Sequence, residues 1–416
     1  MLKKKTLESR KASLLLFFYL FVMYAIVYMT KSIFSSAMAS IVEDGFMTKS
    51  QTGLINAAFW FVYAIFQFFG GFAVDKFSPK KMIMIGMVGA IISNAVIYAA
   101  VIYMSRPYPV IISAWMFNAV VQFGLWPGVF KIMSTQIIPE LRGKTTFWIL
   151  FSGTFGAGIS MLVASFVTNW RDNFIVSAIT LLVSLVIYLF VDGVLVDTKS
   201  TECPSTDVKS ESPEKAKMAP LLFSSGLIVL LVVCTLRVSV DNGIRMMTPV
   251  MLMETYEGLP AAISTRLSTI LIVFSVFGTL VAGFVHSKIT TFEPKAQIGL
   301  YVLSMIPLAM VCFVGRVHYL LILAALCVAT VLLQGASPFT QSFISIRFEK
   351  YGRIGTVAGI VNAAASIGNI LASYVFARMA EIMPWKWVCT SWICVIVICI
   401  LLCVAVYRCW KNFLIR

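Results

Sequence analysis

Apolar runs of about twenty residues, each closed by a cluster of charge or a turn, repeat from one end of the chain to the other. Their spacing predicts about twelve helices, at approximately 13–41, 52–74, 82–104, 108–138, 145–168, 173–195, 221–253, 262–286, 296–315, 318–346, 354–377 and 386–407. A run of this length spans the roughly 30 Å of bilayer hydrocarbon, and the longer ones imply tilt or protrusion. The pattern is interrupted once, by DTKSTECPSTDVKSESPEKAKMAP, residues 197–220, which is polar, proline-bearing and without aromatics. It reads as a flexible linker that divides the helices six and six.

Composition turns these runs into membrane spans. Of 416 residues 60% are hydrophobic and 12% charged, with a mean hydropathy of +0.92, against roughly 25% charged in an ordinary soluble domain. The expectation is an all-α, multi-pass integral protein of the bacterial cytoplasmic membrane, with the bilayer as its first partner. Charge sets the orientation. With both termini cytoplasmic, about 22 of the 33 Lys and Arg fall in cytoplasmic segments and about seven in outer loops. MLKKKTLESRK leads into a span too long for a signal-peptide core, so a retained first helix is predicted. The net charge of +15 mostly reports this topology; a nucleic-acid partner would need a soluble basic face interleaved with aromatics, and none is present in the sequence.

The nine cysteines do not suit a disulfide framework, because eight lie in or beside apolar spans and only Cys203 is in a polar loop. Cys389, Cys394, Cys399, Cys403 and Cys409 form neither a CxxC pair nor a set with histidine, so no metal site is predicted. His286 and His318 stand at helix ends. No phosphate-cradling loop, no nucleophile with its base and no cofactor motif is recognisable. An enzyme is not expected, and any transported solute would be driven by a gradient.

The two halves echo one another. Gly71-xxx-Asp75-Lys76 returns as Gly283-xxx-Ser287-Lys288, and Gln122 with Pro127 returns as Gln334 with Pro338, all at an offset of about 212 residues. Together with the linker this predicts two pseudo-symmetric six-helix bundles, 1–196 and 221–416, joined through 197–220.

GGFAVDKFSPKK (70–81) and these echoes resemble the loop signature of the major facilitator superfamily: Gly71, Asp75, Lys76, Lys80 and Lys81 match it. The resemblance implies the major facilitator fold and a cytoplasmic latch in which Gly71 admits close helix approach, Asp75 faces the N-terminal end of helix eleven near Gly355, and the cations, with Arg142, engage neighbouring acids and lipid phosphates. A narrower likeness, to the organophosphate:phosphate antiporter family, rests on the Ser-Pro of DKFSPKK, on Gln122, Trp126, Pro127, Lys131, Met133 and Arg142-Gly143 in order, on YMTKSIFSSAM in helix one, and less specifically on GIRMMTPVML (243–252) and GTVAGIVNAAASIGN (355–369). That family is expected to hold a phosphate between arginines of helices one and seven, with a lysine of helix two and a histidine of helix four. The matching positions here are Lys31, Asp241, Gln67 and Thr135. Three of four cations are gone and one has become an anion, which argues against sugar phosphates.

The remaining intramembrane polar residues define the candidate site. Arg237, Asp241 and Arg245 share one face of helix seven at successive i, i+4 steps and are assigned to coupling. Asp241 and Lys31 sit at matching depths in pseudo-symmetric helices, and Gln67, Thr135, Tyr28, Tyr63, Trp126 and Gln334 complete the expected substrate contacts. A ladder neutralised within helix seven, with Lys31 turned outward, is the plain structural alternative. The function expected is a monomeric secondary carrier for a small polar organic solute, coupled to protons or a counter-solute and working by alternating access. A transporter-like sensor and a multidrug exporter are the alternatives; SGTFGAG (152–158) weakly resembles an antiporter motif, though close helix packing accounts for its glycines equally well.

Overall fold

The computed structural model describes residues 10–76, 78–195, 225–348, 351 and 354–415, with the backbone alone at 68–76, 134, 135, 139, 143, 146, 147, 150, 191–195, 354 and 355. The described chain is helical throughout. Its elements are α1 (Arg10–Ser36), α2 (Met38–Glu43), α3 (Lys49–Lys76), α4 (Pro79–Tyr103), α5 (Tyr108–Gln122), α6 (Leu125–Gln136), α7 (Pro139–Phe166), α8 (Asp172–Leu195), α9 (Leu227–Thr255), α10 (Ala261–Phe284), α11 (Glu293–Val311), α12 (Tyr319–Gly335), α13 (Ser337–Gln341), α14 (Phe343–Ile346), α15 (Ile354–Ile382) and α16 (Trp385–Ile415). Ten helical stretches are long and apolar enough to cross a membrane. α3 and α7, at 28 residues each, have the length of a crossing too. Helices are the required solution, since hydrocarbon offers no partner to an open backbone group.

Several helices expected to be continuous are broken, and the sequence explains where. The fourth predicted helix is interrupted between α5 and α6 at Phe123 and Gly124, four residues before the proline nitrogen of Pro127 would have to donate. The tenth breaks between α12 and α13, where Pro338 cannot donate to Gln334. The same break thus recurs in both halves at the Gln and Pro pairs that echo one another. α10 ends in a wider π turn at Val285–Ile289, over the Ser287-Lys288 echo. α16 runs on to Ile415, beyond the predicted 407.

By contacts the chain forms two units, Met1–Ala37 with Ile65–Lys209, and Met38–Ala64 with Ser210–Arg416. In the first, α1 packs along α7 and α4 along α5 and α8. Gly156 of SGTFGAG lies against the Ala25 carbonyl, and a Cβ there would also meet the Tyr28 Cβ at 2.9 Å. These glycines therefore permit the α1–α7 approach. In the second unit α9 is central, packing on α15, α16 and α10. It begins after Gly226, whose φ of 74° and proximity to Val406 exclude a side chain. α10 and α12 meet where a Cβ on Gly278 would lie 2.7 Å from the Val331 carbonyl oxygen. Large apolar side chains such as Phe18, Phe190, Leu280 and Ile306 are exposed, as expected of faces turned to lipid.

Residues 38–64 join the second unit through specific contacts. Lys49 Nζ pairs with Glu254 at 2.8 Å, and Trp385 Nε1 donates to the same carboxylate at 2.9 Å. The Ser50 amide donates to Glu381 at 2.8 Å, and the Ala261 amide at the start of α10 donates to Glu43 at 3.0 Å. Glu43 thus caps the N-terminus of α10, where Pro260 offers no side-chain cap, and at the start of α3 Glu381 adds to the Thr48 hydroxyl, which accepts from the Gln51 amide at 3.2 Å. Gly53 lies directly against the Ser373 carbonyl and the Ala377 side chain of α15.

Candidate functional site

α9 is apolar along most of its length, so the three charges on one of its faces need partners. Asp241 is 3% exposed and Arg237 2%. Arg245 Nη2 donates to both oxygens of Asp241, at 2.9 and 2.8 Å, and to Gln334 Oε1 at 3.3 Å. Arg237 lies one turn away on the other side, its Nη1 3.9 Å from Asp241 and 3.5 Å from the Leu333 carbonyl. The i, i+4 spacing thus produces an ion ladder within one helix, and the break after α12 brings Gln334 against it. The Nε groups of both arginines are buried without a hydrogen-bond partner. On the neighbouring strip of α9, Thr235 donates to the Ala364 carbonyl at 2.9 Å and Asn242 to Asn369, tying α9 to α15.

In the first unit Lys31 is 8% exposed, with Nζ 5.4 Å from the Tyr28 ring centroid. The rings continue from Tyr28 to Tyr24 at 6.1 Å and from Tyr24 to Trp126 at 4.9 Å. Three expected contacts, Lys31, Tyr28 and Trp126, therefore share one aromatic strip that embeds the cation. Lys31 is thus a buried residue with its ammonium near the Tyr28 ring. Gln122 Nε2 donates to Asn118 Oδ1 one turn earlier in α5, and Asn118 Nδ2 is buried without a hydrogen-bond partner. Gln67 is half-buried in α3. Tyr63 stacks on Phe59 at 5.9 Å and belongs with the second unit, among the residues 38–64. Thr135 lies in α6, but its side chain is outside the described residues, as are those of Gly71, Asp75 and Lys76 in α3. Lys80 and Lys81 open α4 after Ser78. Arg142 donates through Nε and Nη2 to the Ile137 carbonyl, at 3.2 and 3.1 Å, closing the corner between α6 and α7.

Sequence reasoning missed Glu254 and Lys49, which are 205 residues apart, and Glu293. Glu293, 0% exposed, accepts from Arg347 Nε at 2.7 Å and Trp410 Nε1 at 3.0 Å. Its one sequence signal is the Glu-Pro that opens α11, a helix start that the apolar pattern placed three residues later. Among the described residues no group of three or more His, Cys, Asp or Glu could hold a metal, and none of the described cysteines is in a disulfide.

The sequence profile of the Major Facilitator Superfamily matches residues 20–373. A probable hexose phosphate transport protein of Chlamydia trachomatis is 26% identical over 169 residues, 39% of this chain and 36% of that protein. The membrane sensor protein UhpC of Escherichia coli is 23% identical over 159 residues, 37% of this chain and 35% of the sensor. The chain thus matches little more than a third of the length of each of these two relatives. Over nearly its whole length it shares the fold of a bacterial homologue of the human lysosomal transporter Spinster, solved in an inward-facing, unoccupied conformation: the TM-score is 0.73 at 13% identity, covering 98% of this chain and 97% of that one.

Proposed function

The chain belongs to the Major Facilitator Superfamily, and from that premise we propose that it is a secondary carrier which moves a small polar organic solute by alternating access. The observation that carries this reading is the ladder on α9, a buried carboxylate between two guanidinium groups inside a span. Charges at that depth are costly and are retained where they bind or relay something. Asp241 is assigned to coupling, with a proton or a counter-solute, and Arg237, Arg245 and Gln334 to the solute; Lys31, Tyr28 and Trp126 form a separate strip within the first unit. The domains proposed remain 1–196 and 221–416 linked by 197–220, in a bacterial cytoplasmic membrane with both termini inside. A lipophilic drug would gain little from so ionic a site.

Alternating access requires helix ends to part in each cycle. The pairing of Lys49 with Glu254 and Trp385, and the capping of α3 by Glu381, are assigned to the closed form of that end. The similarity to a membrane sensor supports a second reading, in which solute binding is reported to a partner and flux is small. Reconstituted vesicles separate the two. Solute flux that responds to an imposed proton or counter-solute gradient, disappears in Asp241→Ala and survives exchange of 200–217 for an equally long Gly/Ser segment supports the carrier. Tight binding with no flux under either gradient overturns it in favour of the sensor.

A further inference from the structure

We propose that the cargo is a small organic monoanion, a carboxylate or sulfonate whose acidic group binds Arg245 in place of Asp241. The inference rests on the carrier reading above and adds the charge and the attachment point of the solute.

Charge balance comes first. Among the described residues four charged side chains are buried: Lys31, Arg237, Asp241 and Glu293. Glu293 is engaged by Arg347 and Trp410 at the start of α11, and Lys31 lies in the first unit against Tyr28 and is no part of the ladder. The ladder is left with two guanidinium groups, one of them Arg245 at 20% side-chain exposure, and a single carboxylate. It carries one uncompensated positive charge inside a membrane span, where such a charge calls for a counter-anion. A monoanion brings the sum to zero. A dianion would reverse the sign beside Asp241, a cation would add to the excess, and a neutral polyol would leave it unchanged.

The hydrogen bonds point the same way. Both oxygens of Asp241 accept from one nitrogen, Arg245 Nη2, so the carboxylate occupies a single corner of the guanidinium instead of lying along a two-donor edge. Arg245 Nε is buried and has no partner, and neither has Arg237 Nε. Arg237 reaches its two acceptors only at 3.5 and 3.9 Å. An incoming acid with two oxygens can take the Nε and Nη2 edge of Arg245 bidentately, which requires Asp241 to yield its place there. Cargo and Asp241 are thus competitors for one guanidinium, and the ladder has two arrangements, one closed on itself and one closed on the solute.

Competition makes a prediction of unusual sign. The purified protein is heated with propionate, lactate, methanesulfonate, glycerol, glycine betaine or glucose 6-phosphate at matched ionic strength, and apparent affinities are read from the concentration dependence of the thermal shift. One or more of the three monoanions should stabilise the wild type and the other probes should not. Asp241→Asn removes the competitor and should tighten monoanion binding by about tenfold or more. Arg245→Gln should abolish it; if that variant does not fold, Arg245→Lys, which keeps the charge but loses the fork, should weaken it by about tenfold. Weaker monoanion binding in Asp241→Asn overturns the proposal, because Asp241 would then be a ligand. So does the absence of a shift with all three monoanions, or a larger shift with glycerol, betaine or glucose 6-phosphate. A neutral or dianionic solute that binds and is transported refutes the charge assignment and leaves the carrier standing. Monoanion binding with the expected response to both substitutions but no flux of any probe removes the carrier and leaves the site.

Discussion

Two buried acids in the second unit behave differently because their surroundings differ. Asp241 is shared by two guanidinium groups on its own helix, whereas Glu293 bridges three elements: its own helix, Arg347 after α14 and Trp410 in α16. Glu293→Ala leaves the Trp410 indole N–H buried without an acceptor and frees Arg347, which is partly exposed and can rehydrate. The loss of stability should therefore be about 2 kcal/mol, below that of a fully buried pair. Glu293→Gln keeps an acceptor and should lose about half as much. Denaturation midpoints of the two variants in detergent check this, and an unchanged midpoint in Glu293→Ala would show that the contacts contribute nothing. The spacing of Arg237, Asp241 and Arg245 was legible in the sequence because a helical period fixes it locally. That Gln334 is the residue meeting Arg245 was not, since it depends on where α12 ends against α9.

At the scale of elements, small residues and prolines set the architecture. Gly156 sits against the Ala25 backbone, so Gly156→Ala forces α1 and α7 apart and should cost about 1–3 kcal/mol. Gly283 in α10 has no atom within 4 Å of where a Cβ would stand. Gly283→Ala should be neutral or stabilising by up to about 1 kcal/mol, through helix propensity alone. Thermal midpoints of the pair form one experiment, and equal losses would contradict the packing account. Both glycines stood out in the sequence, one in SGTFGAG and one in the echo of Gly71. Only packing distinguishes a glycine that admits a neighbouring backbone from one that faces open space. The helix breaks at Pro127 and Pro338 were likewise visible as residues but read as continuous helix, because prolines inside spans are often accommodated without a break, as Pro249 is within α9.

Across the whole molecule, the association of residues 38–64 with the second unit is the feature that the proposed alternating-access cycle would have to undo. Cysteines at positions 49 and 254, introduced together in place of Lys49 and Glu254 with the exposed Cys394 replaced, should cross-link readily and stop flux, and reductant should restore it. Full flux in completely cross-linked protein would remove this end of the helices from the transport cycle. Neither single cysteine should block transport, because an exposed ion pair of this kind contributes about 1 kcal/mol or less.

The sequence by itself determined that this is a helical membrane protein, about how many times it crosses and which face of α9 carries charge. Those properties follow from local physics: apolar length against bilayer thickness, backbone groups satisfied within each helix, and a 3.6-residue period. The superfamily was legible too, in Gly71, Asp75, Lys76, Lys80 and Lys81, since its signature is contiguous. Tertiary structure alone decided that Lys49 meets Glu254, that Glu293 is buried between Arg347 and Trp410, and that Gln334 meets Arg245. Such pairings join residues that have no sequence relation, and each is selected by the fit of whole helices, whose many weak contacts together outweigh any one charge.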